Sequence, residues 1–253
     1  MTILTKIRSL FNPPMYQGWG NTRKYFEGWY FKVVNSDETR AFAFIPGISM
    51  SESGEKQAFI QVLDGKKKTA EFFPFDPSEF IPSEKDFMVT VGNNFFSENR
   101  MSLNLPSGSG DLSFAGNKKW PNPWYAPGIM GPYTFAPFME CNHGIVSLDH
   151  SVSGSVLING EKTDFTGGRG YIEKDWGHSF PSAYIWMQSN HFASQGISFK
   201  ASVARIPWLT GNFTGFISGL LIDGRLFPFT EYGGSRLTSL EVTGKRVEIT
   251  FRN

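Results

Sequence analysis

A rhythm constrains this chain more than any single motif: short runs of alternating apolar and polar residues, each stopped by a turn. "AFAFI" (41–45), "QAFIQVL" (57–63), "FMVTV" (87–91), "MSLNL" (101–105), "GSVLI" (154–158), "AYIWMQSNHF" (183–192), "ISFKASVARI" (197–206), "FTGFISGLLI" (213–222) and "RVEITF" (246–251) read as strands. Period two lets a strand bury one face and expose the other. The breaks "DGKKK", "SGSGD", "NGEK", "DGR" and "TGK" supply the Gly, Asn and Asp that tight turns need. Asn159-Gly160 and Asp223-Gly224 each sit between apolar arms and predict two-residue hairpins. No long helical periodicity follows the first dozen residues. The expectation is an all-β antiparallel fold, barrel or sandwich.

Segment 116–143, "GNKKWPNPWYAPGIMGPYTFAPFMECNH", breaks the rhythm with prolines interleaved among Trp120, Trp124, Tyr125, Tyr133, Phe135 and Phe138. It is too aromatic for disorder and reads as a long ordered loop, either lining a pocket or joining lobes. The chain divides into a first β lobe, 12–165, which holds this loop, and a second, 166–253, the two forming one continuous unit. The last residues, "EVTGKRVEITFRN", read as one arm of a hairpin whose partner is missing.

Charge is nearly balanced, 24 basic against 23 acidic residues, which gives no electrostatic case for nucleic acid or an anionic membrane. Cys141 is the only cysteine, so no intramolecular disulfide can form, as suits a reducing compartment. The start has no signal-peptide pattern and no stretch is apolar enough to span a bilayer, so a cytoplasmic protein is expected. Ile3, Leu4, Ile7, Leu10 and Phe11 would share a helix face, which leaves a weak peripheral membrane contact open. With 25 Phe and 7 Trp, the aromatics either fill the core in place of Leu or line a cavity for an apolar ligand.

The chemistry concentrates in "GYIEKDWGHSFP" (170–181). In an extended segment Arg169, Tyr171, Glu173 and Asp175 share one face, and Ile172, Lys174 and Trp176 the other. Two carboxylates lining an apolar cavity would include one with a raised pKa, fit for a general acid. The alternative is a structural pair, Arg169 with Glu173 or Asp175. On 184–192, Tyr184, Trp186, Gln188, Asn190 and Phe192 share a face that mixes rings and amides. In "RKYFEGWYFKV" (23–33), Glu27 stands with Trp29 and Phe31 as a buried acid or an internal ion pair. "GHSFP" lacks the last glycine and the strand–helix setting of an esterase elbow. The scattered histidines and "CNH" (141–143) give no metal-site spacing, and "TGGRG" is no phosphate loop.

"PMYQGWGNTRKYFEGWYFKVV" (14–34), "GRGYIEKDWGHSFPSAYIWMQSNHF" (168–192) and "FPFTEYGG" (227–234) together resemble the tocopherol cyclase family over nearly the whole chain. Carotenoid hydratases of the hydroxyneurosporene synthase type are more distant kin. The resemblance implies a lipocalin-like, two-lobed antiparallel β architecture. It also implies a cofactor- and metal-independent isomerase, in which an acid protonates the prenyl double bond of a quinol and the phenol oxygen captures the tertiary cation. On that reading Asp175 is the first candidate acid, followed by Glu173 and Glu27, with His178 to tune or relay the proton. Trp29, Tyr30, Tyr171, Trp176 and Trp186 are candidate substrate-facing rings, and Gln188 and Asn190 candidates to orient the ring hydroxyl. On this resemblance the chain is expected to be shorter than the plant enzymes and to lack a transit segment, as suits a bacterial protein with a related small apolar ligand. An isoprenoid hydratase and a non-catalytic lipocalin-like carrier are the competing expectations.

Overall fold

The computed structural model describes residues 2–136, 139–208 and 211–253. The chain forms two compact units, Met1–Ser179 and Phe180–Asn253.

The first unit begins with helix α1 (Ile3–Leu10), whose N-cap Thr2 accepts a hydrogen bond from the Thr5 amide. Strands β1 (Tyr25–Val34), β2 (Ala41–Met50), β3 (Lys56–Asp64), β4 (Thr69–Phe75), β5 (Phe80–Pro82) and β6 (Met88–Val91) come next. β7 (Asn94–Ser97), β8 (Arg100–Leu105), β9 (Gly108–Ala115), β10 (Cys141–Ile158), β11 (Glu161–Asp164) and β12 (Gly168–Gly177) complete the unit. They form one antiparallel sheet in the order β4-β3-β2-β1-β12-β10-β9-β8-β7-β6-β5, with β11 beside β10. The sequence reading ended the first lobe at residue 165. The units part later, after Ser179, because β12 is hydrogen-bonded on both edges, to β1 and to β10.

The sheet curls around one aromatic core. Trp29 stacks on Phe87 at 5.5 Å, and Phe31 meets Phe96 at 5.4 Å and Phe114 at 6.0 Å. Phe44 and Phe165 are also fully buried, so the core absorbs much of the phenylalanine surplus. Each such ring contributes about 1.5–3 kcal/mol by leaving water. The edge strands β4 and β5 are joined through a capped turn at Pro77–Glu79 and share no ladder. Side chains tie the β4 edge instead: Glu71 accepts from Ser107 at 2.7 Å and Asn159 at 2.8 Å.

The second unit holds β13 (Tyr184–Ser189), β14 (Ile197–Trp208), β15 (Gly211–Ile222) and β16 (Arg225–Thr230) in one four-stranded sheet. β17 (Arg236–Thr243) and β18 (Arg246–Arg252) form a hairpin of their own. The terminal arm therefore does have its partner. "RLTSLEVT" supplies it, and its polar alternation hid it in the sequence. Phe251 stacks on Phe216 at 5.1 Å, which docks the hairpin on the sheet. β13 stops at Ser189, so Asn190 and Phe192 lie beyond the strand expected over 183–192.

Both predicted hairpins form. Asn159 and Gly160 have φ of 51° and 79°, and Asp223 and Gly224 of 48° and 80°. Two successive positive φ values make the turn whose twist matches antiparallel strands. Residues 116–136 contain no strand and one 3-10 turn, Gly131–Phe135. Trp120 is buried there and Trp124 is exposed. Phe138, counted among this loop's rings, lies outside the described residues. Among those described, no helix is long and apolar enough to cross a membrane.

Candidate active site

β12 separates two groups of charge by the alternation of its side chains. On the core face, Ile172, Lys174 and Trp176 oppose Phe31, Trp29 and Glu27 of β1. Lys174 is fully buried, its ammonium 2.6 Å from Glu27 Oε1 and over the rings of Trp176 (4.4 Å) and Trp29 (5.0 Å). It also donates to the carbonyls of Pro13, at 2.8 Å, and Met15. Glu27 accepts from the Gln17 amide at 2.9 Å, the Gly18 amide at 3.0 Å and the Tyr25 hydroxyl at 2.5 Å. Burial raises the Glu27 pKa while Lys174 lowers it. Burial also brings Lys174 down to about 8, with Glu27 raising it. Each partner compensates the other's desolvation. Every oxygen of Glu27 is engaged, and the group pins segment 13–18 to the sheet. Trp29 and Trp176 serve this pair and face the core.

On the opposite face, Tyr171, Glu173 and Asp175 follow one another along the strand. His143 of β10 stands directly across from Asp175. Its Nδ1 is 2.5 Å from Asp175 Oδ1, and its Nε2 is 3.2 Å from Glu173 Oε2. The second contact lies off the N–H axis and is an electrostatic one. Tyr171 donates to the same Glu173 oxygen at 2.5 Å. Tyr171, His143 and Glu173 are buried, while Asp175 keeps 32% of its side-chain surface exposed. Burial first, and Glu173 next, push the Tyr171 phenol far above its usual range and that of Tyr30 up to about 12. Both phenols remain donors. Lys32 is brought down to about 8 by burial, against the pull of Asp149 and Glu173.

The imidazole therefore bridges two carboxylates. A neutral imidazole carries one N–H and can face only one of them with a proton. The other contact sets a lone pair against a carboxylate unless the cluster holds a further proton, on His143 or on a carboxyl. The imidazole is thus set against both carboxylates, with the partly exposed Asp175 at the solvent end of the cluster.

A glycine lies next to that carboxyl. The row across the sheet reads His143, Asp175, Gly28, Gly47, Phe59. A Cβ on Gly28 would meet nothing nearer than the Pro46 carbonyl at 3.5 Å and Ile45 Cγ2 at 3.6 Å, whereas the Phe59 ring already fills the place of a Cβ at Gly47. Gly28 therefore puts no side chain beside Asp175, and Ile45 is the nearest side chain to that position. The adjacent row, Phe26, Ser49 and Gln57, lines an open cavity of about 520 Å³ that His178 also borders.

The sequence reading placed Glu173, Asp175 and Tyr171 on one face, and the structure brings them together there with Tyr30. His178 is exposed beyond the end of β12, and the histidine at the carboxylates is His143 instead. Arg169 pairs with Asp149, Nε to Oδ1 at 2.9 Å, and not with Glu173 or Asp175, because bulges in β10 bring Asp149 to it. Trp186, Gln188 and Asn190 belong to the second unit. Trp186 and Gln188 lie opposite Ser202 and Lys200 there, and Lys200 is fully buried and donates to Ser202 at 2.9 Å. His143, Gly28 and Lys200 were missed. His143 appeared only as part of "CNH", and nothing local reveals that it meets a carboxylate 32 residues away. Among the described residues no group of His, Cys, Asp and Glu is arranged to hold a metal ion.

A curled antiparallel sheet with a buried acid cluster on one face defines an all-β, lipocalin-like protein. It is similar to the tocopherol cyclases: the model of the tocopherol cyclase-like family matches residues 117–242, just under half of the chain. The probable chloroplastic tocopherol cyclase of Oryza sativa subsp. japonica is 25% identical over 274 aligned positions, covering 85% of this chain and 58% of the rice protein. The chloroplastic tocopherol cyclase of Zea mays is 28% identical over 103, covering 39% of this chain and 22% of its own. The chain thus spans little more than half of the rice protein and less of the maize one. Among solved structures, CghA with Sch210972 superposes with a TM-score of 0.50 at 11% identity, over 80% of this chain and 59% of CghA. That likeness concerns the fold alone.

Proposed function

We propose that this chain is an acid catalyst that cyclises a prenylated quinol or a closely related isoprenoid. The observation that carries the reading is His143 held between Asp175 and Glu173, with Asp175 partly exposed beside Gly28. Asp175, the most exposed member, delivers the proton to the trisubstituted double bond. The electron pair of that bond forms the new C–H bond and leaves a tertiary cation. The phenol oxygen attacks the cation, and its own proton returns to the Asp175 carboxylate, so the reaction is an isomerisation with no net proton change. His143 keeps the cluster supplied with a proton, and Glu173 and Tyr171 hold the imidazole in place. Gly28 leaves room for the alkene against Asp175, and the faces of Tyr30 and Phe59 offer π density to the hydrocarbon and the cation. Glu27, committed to Lys174, takes no part in the chemistry.

Mass spectrometry of incubations with prenylated quinols and linear isoprenoids, beside an Asp175→Asn control, tests this. An isomer of equal mass that disappears in the control is expected. A product heavier by one water would make the chain a hydratase working through the same cation. Unaltered substrate held equally by both proteins would overturn the acid mechanism and leave a carrier.

A further inference from the structure

Helix α1 is mounted inside out. A helix on a soluble protein turns its apolar stripe to the core. Here the buried residues are Thr5 and Ser9, and the exposed ones include Ile3 (75%), Leu4 (68%) and Ile7 (49%). The inner side is fastened by polar bonds. Thr5 donates to Glu84 at 2.8 Å, Arg8 to the Glu84 carbonyl at 2.9 Å, and Gln17 to the Ser9 carbonyl at 2.7 Å. The Trp19 indole donates to the Ser9 hydroxyl at 3.1 Å. The outward aliphatics are thus fixed by the fold and are not a frayed end.

At 100° per residue, Leu10, Ile3, Ile7 and Leu4 make one continuous apolar arc. Lys6 borders it on one side and Arg8 on the other, with Thr5 and Ser9 opposite. The loop after Trp120 is anchored at the end of this helix: Asn122 donates to the Phe11 carbonyl at 2.9 Å, and Phe135 packs on Phe11 at 6.0 Å. That loop exposes Trp124 (78%) and Tyr125 (62%). We infer that α1, with the Trp124–Tyr125 tip, docks this protein on an anionic lipid surface, the helix lying in the interface plane. An apolar arc bordered by cations suits acyl chains beneath anionic headgroups, and Trp and Tyr favour the same depth. A second copy of the chain would meet the same Lys6 and Arg8 with like charge. The near-zero net charge, which gave no case for a membrane, averages over the whole chain and hides this local pattern. The inference is independent of the acid mechanism.

The test is co-sedimentation of the purified protein with phosphatidylcholine vesicles, with and without phosphatidylglycerol. Binding to the mixed vesicles is expected, weaker on pure phosphatidylcholine and weakened by salt. The exposed triple variant Ile3→Ser/Leu4→Ser/Ile7→Ser should lose at least about tenfold in partitioning while keeping the wild-type melting temperature. No binding to the anionic vesicles, or equal binding by the triple variant, would overturn the inference. A dimer in light scattering that the triple variant dissociates, without vesicle binding, would assign the face to a second copy instead.

Discussion

Two carboxylate sites stand back to back across one strand pair. On the core face Glu27 meets Lys174, is wholly desolvated, and accepts from two backbone amides and a phenol. On the opposite face Glu173 and Asp175 meet His143, with Asp175 partly exposed beside Gly28. Each site sets carboxylate against a basic side chain. What differs is whether the groups are saturated. A carboxylate whose lone pairs are all occupied by fixed donors holds structure. One that faces an imidazole and keeps part of its surface exposed can exchange a proton.

Substitutions on the two sides should fail in opposite ways. Asp175→Asn should cost about 10²- to 10⁴-fold in turnover with little change in melting temperature, as removal of a general acid does. Turnover equal to wild type would remove Asp175 from the mechanism. Lys174→Met should leave Glu27 uncompensated and cost about 3–5 kcal/mol of stability by denaturant unfolding, its turnover loss following the unfolded fraction. A stable but inactive Lys174→Met would erase the distinction between the faces.

A third buried ionisable group sets the acid limit of the fold. His150 donates or accepts at Ser147, 2.9 Å away, and packs on Phe114 at 4.8 Å. Burial, helped by Arg169, lowers its pKa to about 3. At neutral pH the ring is uncharged in both folded and unfolded chains. As pH falls below about 6.5 the unfolded chain gains a proton that the folded one refuses until about 3, so stability falls across that window by on the order of a few kcal/mol. Glu27, raised by burial, acts in the opposite sense, since its folded form keeps a proton the unfolded chain loses. The difference between wild-type and His150→Gln pH–stability curves isolates the histidine. Parallel curves would contradict its buried neutral state.

Gly28→Val tests the position beside Asp175. The backbone there is ordinary extended strand and a Cβ would make only ordinary van der Waals contacts, so the fold should survive while KM rises about tenfold. An unchanged KM would place the substrate elsewhere. The smallest effect belongs to Tyr171→Phe. Loss of its hydroxyl from Glu173 should lower turnover about 2- to 10-fold and shift its pH profile, because the Glu173–His143 contact loses one anchor. A flat comparison would make Tyr171 packing alone.

The legible part of this molecule was local. Period two and Asn-Gly or Asp-Gly turns specify strands and hairpins within ten residues, so the all-β class and both hairpins followed from the sequence. Alternation alone also set Glu173 and Asp175 apart from Lys174 and Trp176. What alternation cannot supply is which strand lies beside which. β12 pairs with β1 and β10 over long loops, and only that pairing brings His143 to Asp175 and Gly28 to its other side. His178, three residues from Asp175, was the nearer histidine in sequence and stands exposed outside the cluster. Glu27 showed the right character for a buried acid, but its saturation depends on the Gln17 and Gly18 amides, which no pattern announces.

The most direct test is the fate of the proton itself. A prenylated hydroquinone incubated with the protein in heavy water should give a chromanol carrying one deuterium on the carbon of the former double bond, and Asp175→Asn should give none. A chromanol without deuterium, or equal labelling by the variant, would contradict a proton delivered from the Asp175–His143–Glu173 cluster.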